Sequence, residues 1–159
     1  MQKPVYILNG PNLNRLGRRE PSVYGTTTLA EIGAQCRAAA GAHPLEFRQT
    51  NSESTMIDWI HEAIDSGGGI IINPAAYSFT SIAILDALKM FPGPVIELHI
   101  TNIHRREELY HRSHVSKVAT AVIAGLGARG YVHALRAMLE MLAAAPQVPA
   151  AAGSQVRQA

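Results

Sequence analysis

Cysteine is almost missing from this chain: Cys36 stands alone. A single thiol builds neither an intrachain disulfide framework nor a thiolate metal cluster. Charge is sparse too, at 16% of residues, and Lys plus Arg (14) barely exceed Asp plus Glu (12). No long Lys/Arg run occurs, so the net charge of +2 does not point to a nucleic-acid partner. Small anionic ligands remain compatible, because Arg15, Arg18, Arg19, Arg105 and Arg106 all fall in polar, loop-like stretches. No apolar stretch reaches the roughly 18 residues of a membrane helix, and no secretory leader precedes the first apolar run. The expected setting is therefore cytoplasmic, with no membrane partner.

What is present is 159 residues, 47% apolar, which suits one soluble domain with one sizeable core. That domain is expected over 1–145. Residues 146–159, rich in Ala, Pro and Gln, read as a disordered tail.

The chain is organised around residues 7–25, Ile-Leu-Asn-Gly-Pro-Asn-Leu-Asn-Arg-Leu-Gly-Arg-Arg-Glu-Pro-Ser-Val-Tyr-Gly. An apolar run breaks into side-chain amides, glycines and prolines, then a basic cluster and one tyrosine. Open α/β sheets build their sites this way, beyond the carboxyl ends of the strands. Gly17 and Gly25 bracket Arg18, Arg19 and Tyr24 and are candidate hinges of a closing loop.

Strands and helices alternate through the rest. Short apolar runs predict strands over 4–9, 45–49, 70–73, 94–100 and 118–124, the second of them more polar and suited to an edge. Thr28 and Glu31 have capping-box spacing and open a helix with Leu29, Ile32 and Cys36 on one stripe, stopped by Gly41. Ser52 or Ser54 caps a second helix with Ile57, Ile60 and Ile64 in register, ended by Gly67, Gly68 and Gly69. Thr80 or Ser81 caps a third with Ile82, Leu85 and Leu88 in register, and a last helix spans about 127–144. Such alternation predicts an α/β three-layer sandwich, a five-stranded parallel sheet with helices on both faces in the flavodoxin-like order. In that order the ends of the first, third and fourth strands converge. Residues 9–12, Asn73 and residues 99–102 then meet where the topology places a ligand.

Gly125-Leu126-Gly127-Ala128-Arg129-Gly130 spells the dinucleotide fingerprint, but no further strand and no acidic residue about 20 positions on follow it. Small residues there let the last helix pack closely. The seven histidines form no zinc-type helical pair with a glutamate, and no metal site is expected. His99 differs from the others. Two-residue alternation puts it on the same strand face as Glu97. A carboxylate beside an imidazole fixes its tautomer and favours its charged form, which suits general acid work. Tyr24 is a candidate proton-transfer residue. A free phenol titrates near pH 10, roughly, and is a poor base at neutrality. Guanidinium groups nearby favour a phenolate, and Arg15, Arg18 and Arg19 are close in sequence.

Together, Asn9-Gly10-Pro11-Asn12-Leu13, Gly17-Arg18-Arg19-Glu20-Pro21 with Tyr24-Gly25, Ile72-Asn73-Pro74, Glu97-Leu98-His99-Ile100-Thr101-Asn102 with Arg106-Glu107-Glu108, and Val122 to Gly127 with Gly130-Tyr131 resemble type II 3-dehydroquinate dehydratase. The likeness covers about residues 4–142 in order. It implies a flavodoxin-like subunit assembled as a dodecamer, a tetramer of trimers. It implies a cofactor-free anti elimination that turns 3-dehydroquinate into 3-dehydroshikimate. On that likeness Tyr24 is the base and Arg19 holds it ionised. Asn12 orients a water on the enolate. His99, backed by Glu97, protonates the departing hydroxyl, which Asn73 positions. Ile100 and Thr101 grip the carboxylate, and Asp86 reaches into a neighbouring subunit's site.

Two positions depart from the family pattern. Phe79 stands where the family usually has histidine and Tyr110 where it usually has arginine, and both family residues contact ring hydroxyls. The proton-transfer set is intact while the hydroxyl-recognition set is aromatic. Three readings follow: the same dehydration with a weaker hold on its substrate, a pocket reshaped for another cyclic hydroxy-keto acid, or a non-catalytic relative.

Overall fold

The structure is a computed structural model and describes residues 2–144; the tail expected over 146–159 lies outside them. Five strands, β1 (Val5–Asn9), β2 (Leu45–Gln49), β3 (Gly69–Asn73), β4 (Val95–His99) and β5 (Ala121–Ala124), pair in parallel in the order β2-β1-β3-β4-β5. That is the flavodoxin-like order. The inner strands β1, β3 and β4 are buried throughout, which explains their apolar runs, since helices cover a parallel sheet on each side. Val5, Ile7, Ile71, Ile96 and Leu98 pack under α2 (Leu29–Ala40) and α6 (Gly130–Ala144). Tyr6, Leu8, Ile70, Ile72 and Val95 pack under α3 (Glu53–Ser66) and α5 (Ile82–Lys89). Two shorter helices, α1 (Pro21–Tyr24) and α4 (Tyr77–Thr80), lie in the loops beyond β1 and β3. Among the described residues no helix is long and apolar enough to cross a membrane.

Local chemistry sets the helix starts as expected. Thr28 and Glu31 form a reciprocal capping box, Ser52 accepts from the Thr55 amide, and Ser81 accepts from the Ile84 amide at 2.9 Å. Each cap satisfies backbone donors that have no partner in the first turn. The edge strand β2 is guarded by Arg48. Its guanidinium bonds Glu62 at 2.6 and 2.7 Å and Glu46 at 3.0 Å, so a charged side chain lies along the open edge.

Several boundaries differ from the sequence pattern. In α3 the buried stripe is Met56, Ile60 and Ala63, while Ile57 and Ile64 sit half-buried at its margin. Ile82 is 66% exposed, because α5 begins there and turns Ile84, Leu85 and Leu88 inward. Gly69 does not end a helix but opens β3, where a Cβ would sit 2.3 Å from the Met138 sulfur. β5 is shorter than 118–124, since residues Val115–Lys117 form a 3-10 turn and the chain reaches β4 only near Thr120. The last helix starts at Gly130, after a 3-10 turn over Gly127–Arg129. The small residues predict a last helix close to the last strand, but Gly130 packs closest on Leu98 of β4, where a Cβ would lie 3.2 Å away, and a Cβ would be 3.8 Å from Ile123 of β5.

One contact positions the first loop. The Gly10 amide donates to the Asn73 carbonyl at 2.8 Å, and a Cβ on Gly10 would lie 2.3 Å from the Pro74 carbonyl oxygen, a backbone atom. Gly10→Ala should therefore lower the unfolding free energy by about 1–3 kcal/mol, the usual range for forced overpacking. Urea denaturation checks this; an unchanged midpoint would mean that the loop can retreat from Pro74.

Candidate active site

β1, β3 and β4 end side by side, Asn9 opposite Asn73 and Ile72 opposite Glu97, and their loops diverge around a cavity of about 130 Å³. Drug-sized sites run to roughly 300–1,000 Å³, so its occupant is small. All the residues expected at the site line it except Glu97 and Asp86. Glu97 lies directly behind His99. Asp86 is exposed on α5, away from this chain's own cavity.

The first loop is pinned at its start and open at its end. Leu13 and Leu16 are buried in the core, and Asn12 adopts a left-handed turn (φ 68°) that asparagine tolerates better than most residues. Asn51 sets that turn: its Oδ1 accepts from the Asn12 amide at 3.0 Å, and its carbonyl accepts from the Tyr77 hydroxyl at 2.6 Å. Asn51 thus ties the loops after β1, β2 and β3 together, and the periodicity of the sequence held no hint of it. Gly17 and Gly25 both have φ above 80°, and α1 between them presents Tyr24 to the cavity.

Two guanidinium groups meet Tyr24. Arg19 stands over the ring at 4.7 Å from its centre, and Arg106 Nη1 donates to the hydroxyl at 3.2 Å. Arg106 lies in turn on the face of Tyr110, 3.9 Å from the ring centre. The sequence reading placed Arg106 in the family pattern without giving it a place in the site. His111 Nε2 binds the Arg106 carbonyl at 2.7 Å, and its ring is not part of the cavity wall.

His99 lines the same cavity. Its Nε2 donates to Glu97 Oε1 at 2.7 Å, so Nδ1 is the nitrogen left for the cavity. Phe79 stacks on His99 (centres 6.1 Å apart, 23° between planes) and meets Tyr110 edge-on at 5.3 Å. The wall expected to hold ring hydroxyls is aromatic. Among the described residues no three His, Cys, Asp or Glu side chains stand where they could hold a metal ion.

The model of the family described as dehydroquinase class II matches residues 3–139. The chain belongs to that family. It is 54% identical over 145 residues to 3-dehydroquinate dehydratase of Chelativorans sp., covering 89% of this chain and all of that one. It is 57% identical over 137 residues to 3-dehydroquinate dehydratase 2 of Agrobacterium fabrum, covering 85% and 93%. The crystal structure of type II dehydroquinase from Propionibacterium acnes superposes with a TM-score of 0.83 at 48% identity, covering 88% of this chain and 98% of that one. The chain thus shares the parallel α/β fold of a solved relative.

Glu97 has no exposed surface. Burial alone would raise its pKa, but hydrogen bonds from His99, Ser113 and Ser116, with the His99 charge, outweigh burial and hold it below the ordinary 4.5. A depressed carboxylate contributes stability above its unfolded pKa and loses it as pH falls through the folded one. The stability gap between the parent protein and Glu97→Gln should accordingly shrink as pH falls below 4.5. Denaturant melts across pH 7 to about 3 measure it; a pH-independent gap would mean that the carboxylate charge is not what Glu97 contributes.

Proposed function

We propose that this chain converts 3-dehydroquinate to 3-dehydroshikimate and water by anti elimination through an enolate, without a coenzyme. The observation that carries the reading is a pair on one small cavity: Tyr24, met by Arg19 at its ring and Arg106 at its hydroxyl, and His99 tethered to a buried carboxylate. Tyr24, as phenolate, takes the proton alpha to the ketone. The C–H electron pair moves into the enolate, whose oxygen is met by a water that Asn12 orients. Arg19 and Arg106 stabilise the phenolate charge that starts the step. The enolate then expels the beta hydroxyl, which takes a proton from His99 and leaves as water. Glu97 stabilises the imidazolium that gives it. Asn73 holds the departing hydroxyl, and Ile100 and Thr101 hold the substrate carboxylate. Preorganised donors aimed at developing charge in a confined site supply most of such a rate enhancement.

The assembly belongs to the proposal too. The resemblance supports a dodecamer, a tetramer of trimers, in which Asp86 from the exposed face of α5 completes a neighbouring subunit's site. The setting is cytoplasmic, with a role in the shikimate pathway or in quinate breakdown. Sedimentation of the purified protein tests the assembly.

Purified protein given 3-dehydroquinate should produce the ultraviolet absorbance of a conjugated enone; no signal at high enzyme concentration rejects the activity. Tyr24→Phe should lower kcat by about 10²–10⁴-fold, the range for a lost general base. Intact turnover would remove Tyr24 from the mechanism.

Phe79 and Tyr110 offer ring faces where the family pattern has polar contacts to ring hydroxyls, so substrate is held less tightly here. Phe79→His should lower KM by about threefold to tenfold, in line with one regained polar contact. An unchanged KM would show that Phe79 does not face a hydroxyl.

A further inference from the structure

We propose that Tyr131, buried in the first turn of α6, is a positioning residue that acts on the reaction through Asn73, by a one-way chain of hydrogen bonds anchored on backbone at both ends. This rests on the reading of Asn73 given above. At one end the Arg48 carbonyl can only accept, and Asn9 Nδ2 donates to it at 2.9 Å. Asn9 Oδ1 is then the acceptor left, and it takes the one hydrogen of the Tyr131 hydroxyl at 2.7 Å. With that hydrogen committed, the Tyr131 oxygen can only accept, and Asn73 Nδ2 donates to it at 2.9 Å. At the far end the Ala75 amide can only donate, and it reaches Asn73 Oδ1 at 3.3 Å. No member can turn round without setting two donors or two acceptors face to face.

The surroundings make that penalty large. Asn9 and Tyr131 have no exposed surface and Asn73 has 4%, so no bulk water replaces a lost partner. Burial pushes the Tyr131 phenol well above its ordinary value, against the smaller opposing effect of the Asn73 hydrogen bond, so the hydroxyl keeps its hydrogen. Asn9 and Asn73 are register partners on adjacent strands, which puts both amides within reach of one phenol. Ala75, held by Asn73, has the left-handed φ of 51° and lines the cavity. The remaining N–H of Asn73 Nδ2 is the donor left for the cavity, and Tyr131 decides that it is a donor.

A double-mutant cycle on kcat with 3-dehydroquinate tests this. Tyr131→Phe should lower kcat by about tenfold, the loss expected when one buried hydrogen bond stops holding a reacting group. KM should move by less than about twofold, because Asn73 acts on the hydroxyl as it departs. In an Asn73→Ala background the same change should have no further effect, since the chain then has nothing to position. Leu135→Val, which trims the core on the same helix, should leave kcat in place. An equal loss in both backgrounds, or a full-rate Tyr131→Phe enzyme, overturns the proposal. If Tyr131→Phe fails to fold, Asn9→Ala, which frees the Tyr131 hydrogen to turn on Asn73, goes through the same cycle. A crystal structure of the folded variant reads the chain without turnover: an Asn73 amide displaced from its parent position supports it, and an unmoved one overturns it. A full-rate Asn73→Ala enzyme overturns both this proposal and the role given to Asn73. A parent protein without dehydratase activity overturns the reaction, and the crystal structure then judges the chain alone.

Discussion

The parallel pairing of β1 with β3, Asn9 against Asn73, sets where this chain can build a cavity. Both strands stop at the same level, and a hydrogen bond from the Gly10 amide to the Asn73 carbonyl carries the pairing one residue beyond β1. The next residues cannot continue a sheet. Pro11 and Pro74 lack amide hydrogens, and Asn12 and Ala75 turn left-handed. The two loops therefore part at a shared point, and the space between them is the cavity. The β4 loop closes its third side.

Strand alternation would seem to scatter the site. Asn73 follows Ile71 on the face that α2 and α6 cover, whereas Glu97 and His99 follow Val95 on the face under α3 and α5. Both groups still line one cavity, because it lies beyond the strand ends and draws on both layers. That placement gives each half its own support. His99 is oriented from the α3 and α5 side by Glu97, and Asn73 from the α2 and α6 side by Tyr131. A low-dielectric interior strengthens each bond and penalises any that goes unmade. The aromatic wall of Phe79 and Tyr110 touches His99 on one side and Arg106 on the other.

Much of this was legible beforehand, for physical reasons that are local. Apolar runs ended by Asn and Pro mark buried strands at β1 and β3, and the Thr28–Glu31 spacing alone encodes a capping box. Glu97 and His99 are two apart, so any strand brings them together. Ile82 was misjudged because its helical spacing continues beyond the first turn of α5, and a first-turn residue can project past the core. Asn51 and Arg106 were missed as members of the site for a different reason. Each works through a partner distant in sequence, Asn12 and Tyr77 for one and Tyr24 for the other, and no periodicity records such a pairing.

The sequence by itself determined the α/β class, the strand order, the family pattern and most of the residues that meet at the cavity, because these follow from pattern, turn chemistry and motif. Only the tertiary structure decided which guanidinium touches the Tyr24 hydroxyl, which nitrogen of His99 is free, and that Tyr131 joins Asn9 to Asn73 across 122 and 58 residues of chain. Hydrogen bonds are short and directional, so their partners are chosen by where the sheet and helices bring side chains together.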